Sequence, residues 1–241
     1  MNLVAKYLSW DSEFFKFPIV RMELGNVNKA SLIQAIEEYV TNKDVKLIYL
    51  FVKPNDRKSI LAIQHVGAHL VDNKITYIMP LMPTSSVNKS RNNSIVFATK
   101  FTAQLELLAW QSGEYSRFRL DTKFPAIAFK NLYSQWLRNS LDSTIAQSVL
   151  VFQQDGKDVG LLTLGEKNDR ADIGLLAVDE SVRGQRIGQQ LISEVQRIAS
   201  SKNYKELQVV TQKENSLACQ FYEKCGFEIL QEELIYHLWV K

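Results

Sequence analysis

Six consecutive residues, Arg183 to Gly188, place two glycines and two arginines between an apolar segment and an amphipathic, helix-like segment. The first N–H groups of a helix have no partner inside the helix, and the helix dipole makes that end positive. Glycine lets the backbone approach a ligand closely, and arginine adds charge-assisted hydrogen bonds. The pattern therefore predicts that a phosphate group binds where a strand turns into a helix.

Three kinds of phosphate-binding loop can be compared with this run. A P-loop has a lysine and a serine or threonine after its second glycine, whereas Gly188 is followed by two glutamines. A dinucleotide-binding fold needs a third glycine and an acidic residue after the next strand, which here ends in Val-Val-Thr. The third kind is Gln/Arg-x-x-Gly-x-Gly/Ala, which binds the pyrophosphate of coenzyme A. Arg186 occupies its fourth position, where glycine is usual, so a slightly altered loop is expected.

Two further segments accompany the loop: L-L-A-V just before it and V-T-Q-K-E-N-S-L-A-C-Q-F-Y-E-K-C-G-F after it. Together the three segments resemble the GCN5-related N-acetyltransferase (GNAT) family over residues 95–241. This resemblance implies a GNAT fold, acetyl-CoA as the cofactor, and transfer of its acetyl group to an amine that attacks the thioester directly. It also implies cofactor contacts from the strand and the loop, at Leu176, Ala177, Val178, Arg183, Gly184, Gln185, Arg186, Ile187 and Gly188.

The resemblance assigns roles to two residues after the loop. Asn215 would cap a helix and contact the pantetheine arm, and Tyr222 would protonate the departing thiolate. The two residues are seven apart and so share a helix face, and a phenol with a pKa near 10 is protonated at neutral pH. The alternative is that Tyr222 only packs. The base stays unresolved, with Glu166 acting through water as one option.

A narrower resemblance concerns the acceptor. The segments L-S-W-D-S-E-F-F (8–15), S-R-F-R (116–119) and Y-S-Q-W-L-R-N-S-L (133–141) are similar to the dTDP-fucosamine acetyltransferase subgroup. This similarity implies that the acceptor is a dTDP-4-amino-4,6-dideoxyhexose, with Arg117 and Arg119 binding its pyrophosphate. Alternatives are a different amine, such as a polyamine or a peptide, and a non-catalytic acyl-CoA-binding module.

Hydropathy and turn patterns give the predicted organisation. The order β-α-α-β-β-β-α-β-α-β over residues 95–241 predicts an α/β (α+β) fold, with a mixed central sheet flanked by helices. A polar linker at 83–94 divides this GNAT domain from an N-terminal α/β domain at 1–82. Residues 47–79 resemble 206–238 at a shift of 159, which predicts that the N-terminal domain is a partial copy without the glycine-rich loop.

Composition excludes several other classes. A net charge of +3 does not favour nucleic acid, and the absence of a long apolar run argues against a membrane partner. Without a recognisable signal segment, a cytoplasmic location is expected. Cys219 and Cys225 are expected to be free thiols, and no metal site is predicted. The expected partner is a small-molecule amine, and a homodimer is one option for the assembly.

Overall fold

The computed structural model describes residues 2–82 and 93–240 and divides the chain into two compact units. The first unit comprises residues 1–75, 212–214 and 231–241, and the second comprises 76–211 and 215–230. The predicted linker, 83–94, lies outside the described residues except for its last two positions. Among the described helices, none has the length and apolarity that crossing a membrane requires.

The first unit has a mixed sheet in the order β1-β2-β3-β10-β4. Strands β2 and β3 are parallel, and β1 and β10 run antiparallel to their neighbours β2 and β3. Every residue of β3 is buried, as expected for a strand covered on both faces. The elements are β1 (Asn2–Tyr7), α1 (Ser9–Phe15), β2 (Ile19–Gly25), α2 (Lys29–Lys43), β3 (Leu47–Val52), α3 (Arg57–His65) and parts of β4 (His69–Pro80) and β10 (Glu228–Trp239).

The second unit has the strand order β4-β9-β8-β7-β6-β5, in which β8 and β9 are parallel and the pairs from β5 to β8 are antiparallel. The predicted mixed sheet with flanking helices is therefore confirmed. The elements are β5 (Ile95–Phe97), α4 (Ala103–Ser112), α5 (Arg117–Leu120), α6 (Ala126–Leu141), β6 (Ser148–Gln154), β7 (Lys157–Lys167), β8 (Arg170–Val178), a 3₁₀ helix (Glu180–Val182), α7 (Ile187–Ser201), β9 (Glu206–Gln212) and α8 (Ser216–Lys224).

One short helix was not predicted. Helix α5 forms a single turn between α4 and α6. The Ser116 side chain caps that turn by accepting a hydrogen bond from the Phe118 N–H at 3.3 Å. Phe118 itself is buried, so a local cap and one apolar anchor hold the turn.

The predicted repeat is present in the secondary structure. The units β3-α3-β4 and β9-α8-β10 begin their strands and helices at positions 159 residues apart. The N-cap residues correspond as well, with Asp56 before α3 and Asn215 before α8. The structure thus contains two copies of one strand-helix-strand unit, which differ in the charge of the capping side chain.

In the first copy, side chains at the start of α3 accept hydrogen bonds from the backbone of a neighbouring turn. The β2–α2 turn donates two backbone hydrogen bonds to α3, from the Asn26 N–H to Asp56 Oδ2 at 2.7 Å and from the Val27 N–H to Ser59 Oγ at 2.9 Å. Asp56 also accepts hydrogen bonds from the backbone and the hydroxyl of Ser59. Donors that could bind an external anion at this turn are therefore used by a carboxylate and a hydroxyl of the chain itself.

A β-bulge in the second unit shapes the end of β8. Leu162 pairs with Leu176 and Leu164 pairs with Ile173, so two residues of β8 lie opposite Thr163. The buried Thr163 hydroxyl accepts a hydrogen bond from the Leu175 N–H at 2.8 Å. A bulge bends its strand and increases the local twist. The bend follows directly after Ile173, the last residue of β8 that pairs with β9.

We expect Thr163→Val to destabilise the bulge. Valine keeps the branched shape but leaves the buried Leu175 N–H without an acceptor, which costs about 1–3 kcal/mol. Thr163→Ser is the matched control, because it keeps the hydroxyl and loses one methyl group. Urea unfolding measures the difference. Equal stability of the valine variant and the wild type would show that the hydroxyl does not hold the bulge.

Asp56→Asn tests the closure of the first copy. Burial opposes ionisation of the Asp56 carboxyl, but hydrogen bonds from Ser59 and the Asn26 N–H outweigh it and lower its pKa. Stabilisation by the carboxylate is therefore complete above the unfolded-state pKa, which is about 3.9, and is lost as the pH falls through the folded-state pKa. We expect Asp56→Asn to be less stable than the wild type at pH 7, with the gap in unfolding free energy narrowing in acid. A gap independent of pH would contradict the role of the charge.

Candidate functional site

A cavity of about 710 Å³ lies in the second unit. Its volume is within the range of about 300–1,000 Å³ that small-molecule sites occupy. The cavity brings together most of the residues that the sequence pointed to as a cofactor site. These residues are Leu176, Ala177, Val178, Arg183, Gly184, Arg186, Ile187, Gly188, Asn215 and Tyr222.

The end of β8 supplies one wall of the cavity. The ladder between β8 and β9 extends only from Ala171 to Ile173, and β8 continues to Val178. The strand therefore leaves its parallel neighbour and lines the cavity with its last three residues. An open strand edge of this kind can pair with the amide groups of an extended ligand. The Val178 carbonyl also accepts a hydrogen bond from Nε of Arg183 at 3.1 Å, which ties that arginine to the strand.

The loop that follows β8 contains two residues in the left-handed region. Gly184 has a φ of 85°, and Arg186 has a φ of 61° and a ψ of 15°. Arg186 thus takes the backbone conformation that glycine favours, at a cost of about 1–2 kcal/mol for a residue with a Cβ atom. Arg186 is also the N-cap residue of α7, and its side chain makes no capping hydrogen bond. The first turn of α7 therefore offers its N–H groups to the cavity.

Gly188 is needed for close packing rather than for its backbone angles. A Cβ atom at this position would lie 3.0 Å from Cζ of Phe221, which is tighter than most real Cβ contacts, so the ring would have to shift. The Phe221 ring of α8 therefore lies directly over the start of α7, and Phe221 also lines the cavity. The packing role of Phe221 was not predicted from the sequence.

Helix α8 contributes Asn215 and Tyr222. Oδ1 of Asn215 accepts a hydrogen bond from the Ala218 N–H at 3.1 Å, so the side chain caps the helix as predicted. Its NH₂ group is the part that remains for a ligand. Tyr222 lies two turns later, is 6% exposed, and packs against Tyr77 and Phe227 at centroid distances of 5.9 and 5.6 Å.

The Tyr222 phenol is protonated throughout the neutral range. Burial raises its pKa above the ordinary value, and the thiols of Cys225 and Cys219 raise it further. Neither of those two cysteines forms a disulfide. A phenol in this state can donate a hydrogen bond into the cavity but does not give up its proton readily.

Three predicted residues do not line the cavity. Gln185 accepts a hydrogen bond from Gln154 at 3.4 Å. Arg117 and Arg119 belong to α5, where the Arg117 guanidinium lies 4.4 Å from the centre of the Phe118 ring. The cavity is lined instead by the last residues of α4 and by the turn between α4 and α5, which the sequence analysis did not identify. They are Gln111, Ser112, Glu114 and Tyr115.

Glu166, which was the option for a base, and the buried His237 both lie outside the cavity. Glu166 pairs with Ala171 at the start of β8, and its carboxylate accepts hydrogen bonds from Tyr204 and Gln147. The cavity borders the opposite end of β8, so Glu166 does not belong to it. His237 is buried in the first unit, where its ring stacks on Tyr49 at 4.8 Å.

Comparisons with known proteins agree with this architecture. The family described as acetyltransferase (GNAT) domain matches residues 146–229. The spore coat polysaccharide biosynthesis protein SpsD of Bacillus subtilis is 27% identical over 132 residues, which are 55% of this chain and 45% of SpsD. The match thus spans less than half of that relative's length.

Solved structures share the fold. A GCN5-related N-acetyltransferase from Sphaerobacter thermophilus has a TM-score of 0.63 at 15% identity, covering 98% of this chain and 76% of that one. A tandem GNAT protein from the clavulanic acid biosynthesis pathway has a TM-score of 0.57 at 12% identity, covering 92% and 75%. Residues 146–229 thus match the GNAT acetyltransferase domain, and the described chain shares its fold with solved GNAT structures, in agreement with the family that the sequence resembles.

Proposed function

We propose that this protein transfers the acetyl group of acetyl-CoA to the amino group of a nucleotide-linked amino-deoxy sugar of the dTDP-4-amino-4,6-dideoxyhexose type. One observation carries the proposal. A single cavity borders both the uncapped start of α7 with its two arginines and the buried phenol of Tyr222. The first feature suits the phosphates of the cofactor, and the second suits a leaving thiolate.

The lining of the cavity fits acetyl-CoA at each part of that molecule. The N–H groups at the start of α7, with Arg183 and Arg186, would bind the pyrophosphate. The open edge of Leu176–Val178 would pair with the pantetheine amides, and the side-chain NH₂ of Asn215 would donate to the same arm. Bound acetyl-CoA supplies the activated acetyl group, and the protein residues hold it in register.

Tyr222 would act as the donor to the leaving sulfur. Its raised pKa keeps the proton on the phenol, so the group is always ready to donate a hydrogen bond. An ordinary thiol has a pKa near 8.5, so complete transfer of the phenol proton to a thiolate is uphill. The phenol therefore stabilises the developing negative charge mainly by hydrogen bonding, and solvent completes the protonation.

The acceptor is the least constrained part of the proposal. Support for an amino sugar comes from the subgroup resemblance of the sequence and from the polysaccharide biosynthesis role in the name of SpsD. Because Arg117 and Arg119 do not line the cavity, they would serve only an acceptor that extends beyond it. A cytoplasmic location and a homodimer stay predictions.

A panel of acceptors separates this function from its alternatives. Thiol release is measured with acetyl-CoA and dTDP-4-amino-4,6-dideoxygalactose, spermidine or a peptide amine. Release with the sugar nucleotide alone is the expected result. Release only with another amine would support an acetyltransferase but contradict the amino-sugar acceptor. Tight CoA binding with no thiol release from any amine would favour a non-catalytic acyl-CoA-binding module.

We expect Tyr222→Phe to lower kcat at least tenfold with little change in the Kd for acetyl-CoA, because donation to a leaving group contributes about 10²–10⁴ in rate. Steady-state thiol release gives kcat, and calorimetry gives Kd. Tyr236→Phe is a matched control, since it removes the hydroxyl of a buried tyrosine in the other unit. An unchanged kcat would remove Tyr222 from the mechanism.

Arg186→Gly separates the charge of this arginine from its backbone conformation. Glycine relieves the strain at positive φ, so the melting temperature is expected to stay level or rise. Loss of the guanidinium removes a charge-assisted bond worth about 1.5–3 kcal/mol, so CoA affinity is expected to fall about tenfold or more. Arg186→Lys should retain part of that affinity. Undiminished CoA binding by the glycine variant would show that Arg186 does not contact the phosphates.

A further inference from the structure

The turn after α4 places polar groups at the cavity that the cofactor does not use. Gln111 and Ser112 close the helix, and Glu114 and Tyr115 follow it. Among the described residues that line the cavity, Glu114 supplies the one carboxylate. The other ionisable groups that line the cavity are the phenols of Tyr115 and Tyr222 and the guanidinium groups of Arg183 and Arg186.

This part of the lining favours positive charge. The C-terminal end of a helix carries the negative end of its dipole, and α4 ends at Ser112 beside the cavity. Oε1 of Gln111 is buried, and no described residue donates a hydrogen bond to it. The C-terminal end of α4, Oε1 of Gln111 and the Glu114 carboxylate therefore all favour a positively charged group at this side of the cavity. By contrast, the start of α7 with Arg183 and Arg186 favours negative charge.

The turn that carries Glu114 is held firmly. A Cβ atom on Gly113 would lie 2.2 Å from the Tyr133 ring, so only glycine allows α4 to end this close to α6. The Ser116 N–H donates to the Gly113 carbonyl at 2.9 Å, and buried Phe118 packs edge-to-face against Trp136. These contacts fix the turn on two sides of Glu114.

Arg119 is the charged neighbour of Glu114. Its Nη1 lies 3.5 Å from the Glu114 carbonyl oxygen and 3.9 Å from Oε1. The second distance is too long for a hydrogen bond, so the carboxylate can still accept one from a ligand. The Glu114 side chain is 47% exposed, which gives a proton on this carboxyl a path to solvent.

We propose that Glu114 binds the ammonium group of the acceptor and removes a proton from it, while Oε1 of Gln111 accepts a hydrogen bond from the same nitrogen. This proposal rests on the proposed function and assigns its missing base. The carboxylate takes one proton from R–NH₃⁺, which leaves R–NH₂ with a free electron pair. That pair forms the C–N bond as the C–S bond breaks, and the sulfur keeps the bonding electrons. The thiolate is protonated, the nitrogen loses its second proton to form the amide, and one proton in total passes to solvent.

Glu114→Gln tests the assignment, with Glu228→Gln as the control because Glu228 is an exposed carboxylate of the same unit that does not line the cavity. Both variants are assayed with the wild type for thiol release from acetyl-CoA and dTDP-4-amino-4,6-dideoxygalactose between pH 6 and pH 10. Calorimetry gives the Kd for CoA. We expect Glu114→Gln to lose at least tenfold in kcat/KM at pH 7, with the CoA affinity unchanged.

The pH profile distinguishes a base from a structural residue. Without the carboxylate, the reaction depends on acceptor that is already deprotonated, so the deficit should shrink as the pH rises. A deficit that stays constant with pH, no deficit at all, or a loss of CoA binding would each overturn the role of Glu114. If the wild type is active and any of those results is found, only the role of Glu114 fails and the proposed function still holds. If the wild type releases no thiol from any acceptor, the proposed function fails as well.

Discussion

The end of the pairing between β8 and β9 is the constraint on which the site depends. The two strands share a parallel ladder only as far as Ile173, and the bulge held by Thr163 then turns β8 away. If the ladder continued, the edge of Leu176–Val178 would be filled by β9 and could not pair with a ligand. The same departure sets where β8 ends, and therefore where α7 begins.

The loop geometry follows from that position. Because β8 ends beside the cavity, the uncapped start of α7 also lies at the cavity. Gly188 has no side chain, so the Phe221 ring can pack over the start of α7. Arg186 accepts a strained backbone at the N-cap and adds a positive charge where glycine would add none. Phe221 and Tyr222 thus line the same wall of the cavity, because α8 carries both residues.

The two copies of the repeat differ at the positions of Asn215 and Tyr222, the residues that the proposed function uses. Asp56 and Asn215 are equivalent N-cap residues, but the Asp56 carboxylate also accepts a hydrogen bond from the Asn26 N–H of a neighbouring turn, whereas Oδ1 of Asn215 accepts one from the Ala218 N–H of its own helix. Ile63 takes the place of Tyr222 and lies in the core of the first unit. In the first copy, a carboxylate of the chain itself therefore accepts a backbone hydrogen bond at this turn.

Local signals predicted the parts of the site that local interactions determine. The ends of α8 followed from the Asn215 cap and the glycine after the helix, and the end of β8 followed from the apolar run before the glycine-rich loop. The bulge could not be predicted, because it depends on the register between strands. The choice of Arg117 and Arg119 rested on a short resemblance and on charge, whereas Glu114 of the cavity follows a glycine at which α4 packs closely against α6. Packing between segments that are distant in the sequence produces no local pattern, so it could not be predicted.

Amide hydrogen exchange with and without CoA tests the central claim most directly. The claim is that the open edge of β8 and the start of α7 hold the cofactor while the first copy is closed by Asp56. It predicts that CoA slows exchange at residues 176–178 and 184–189 and leaves the exchange of Asn26 and Val27 unchanged. CoA binding with no added protection at 176–178 and 184–189, or with protection at Asn26 and Val27 instead, would contradict it.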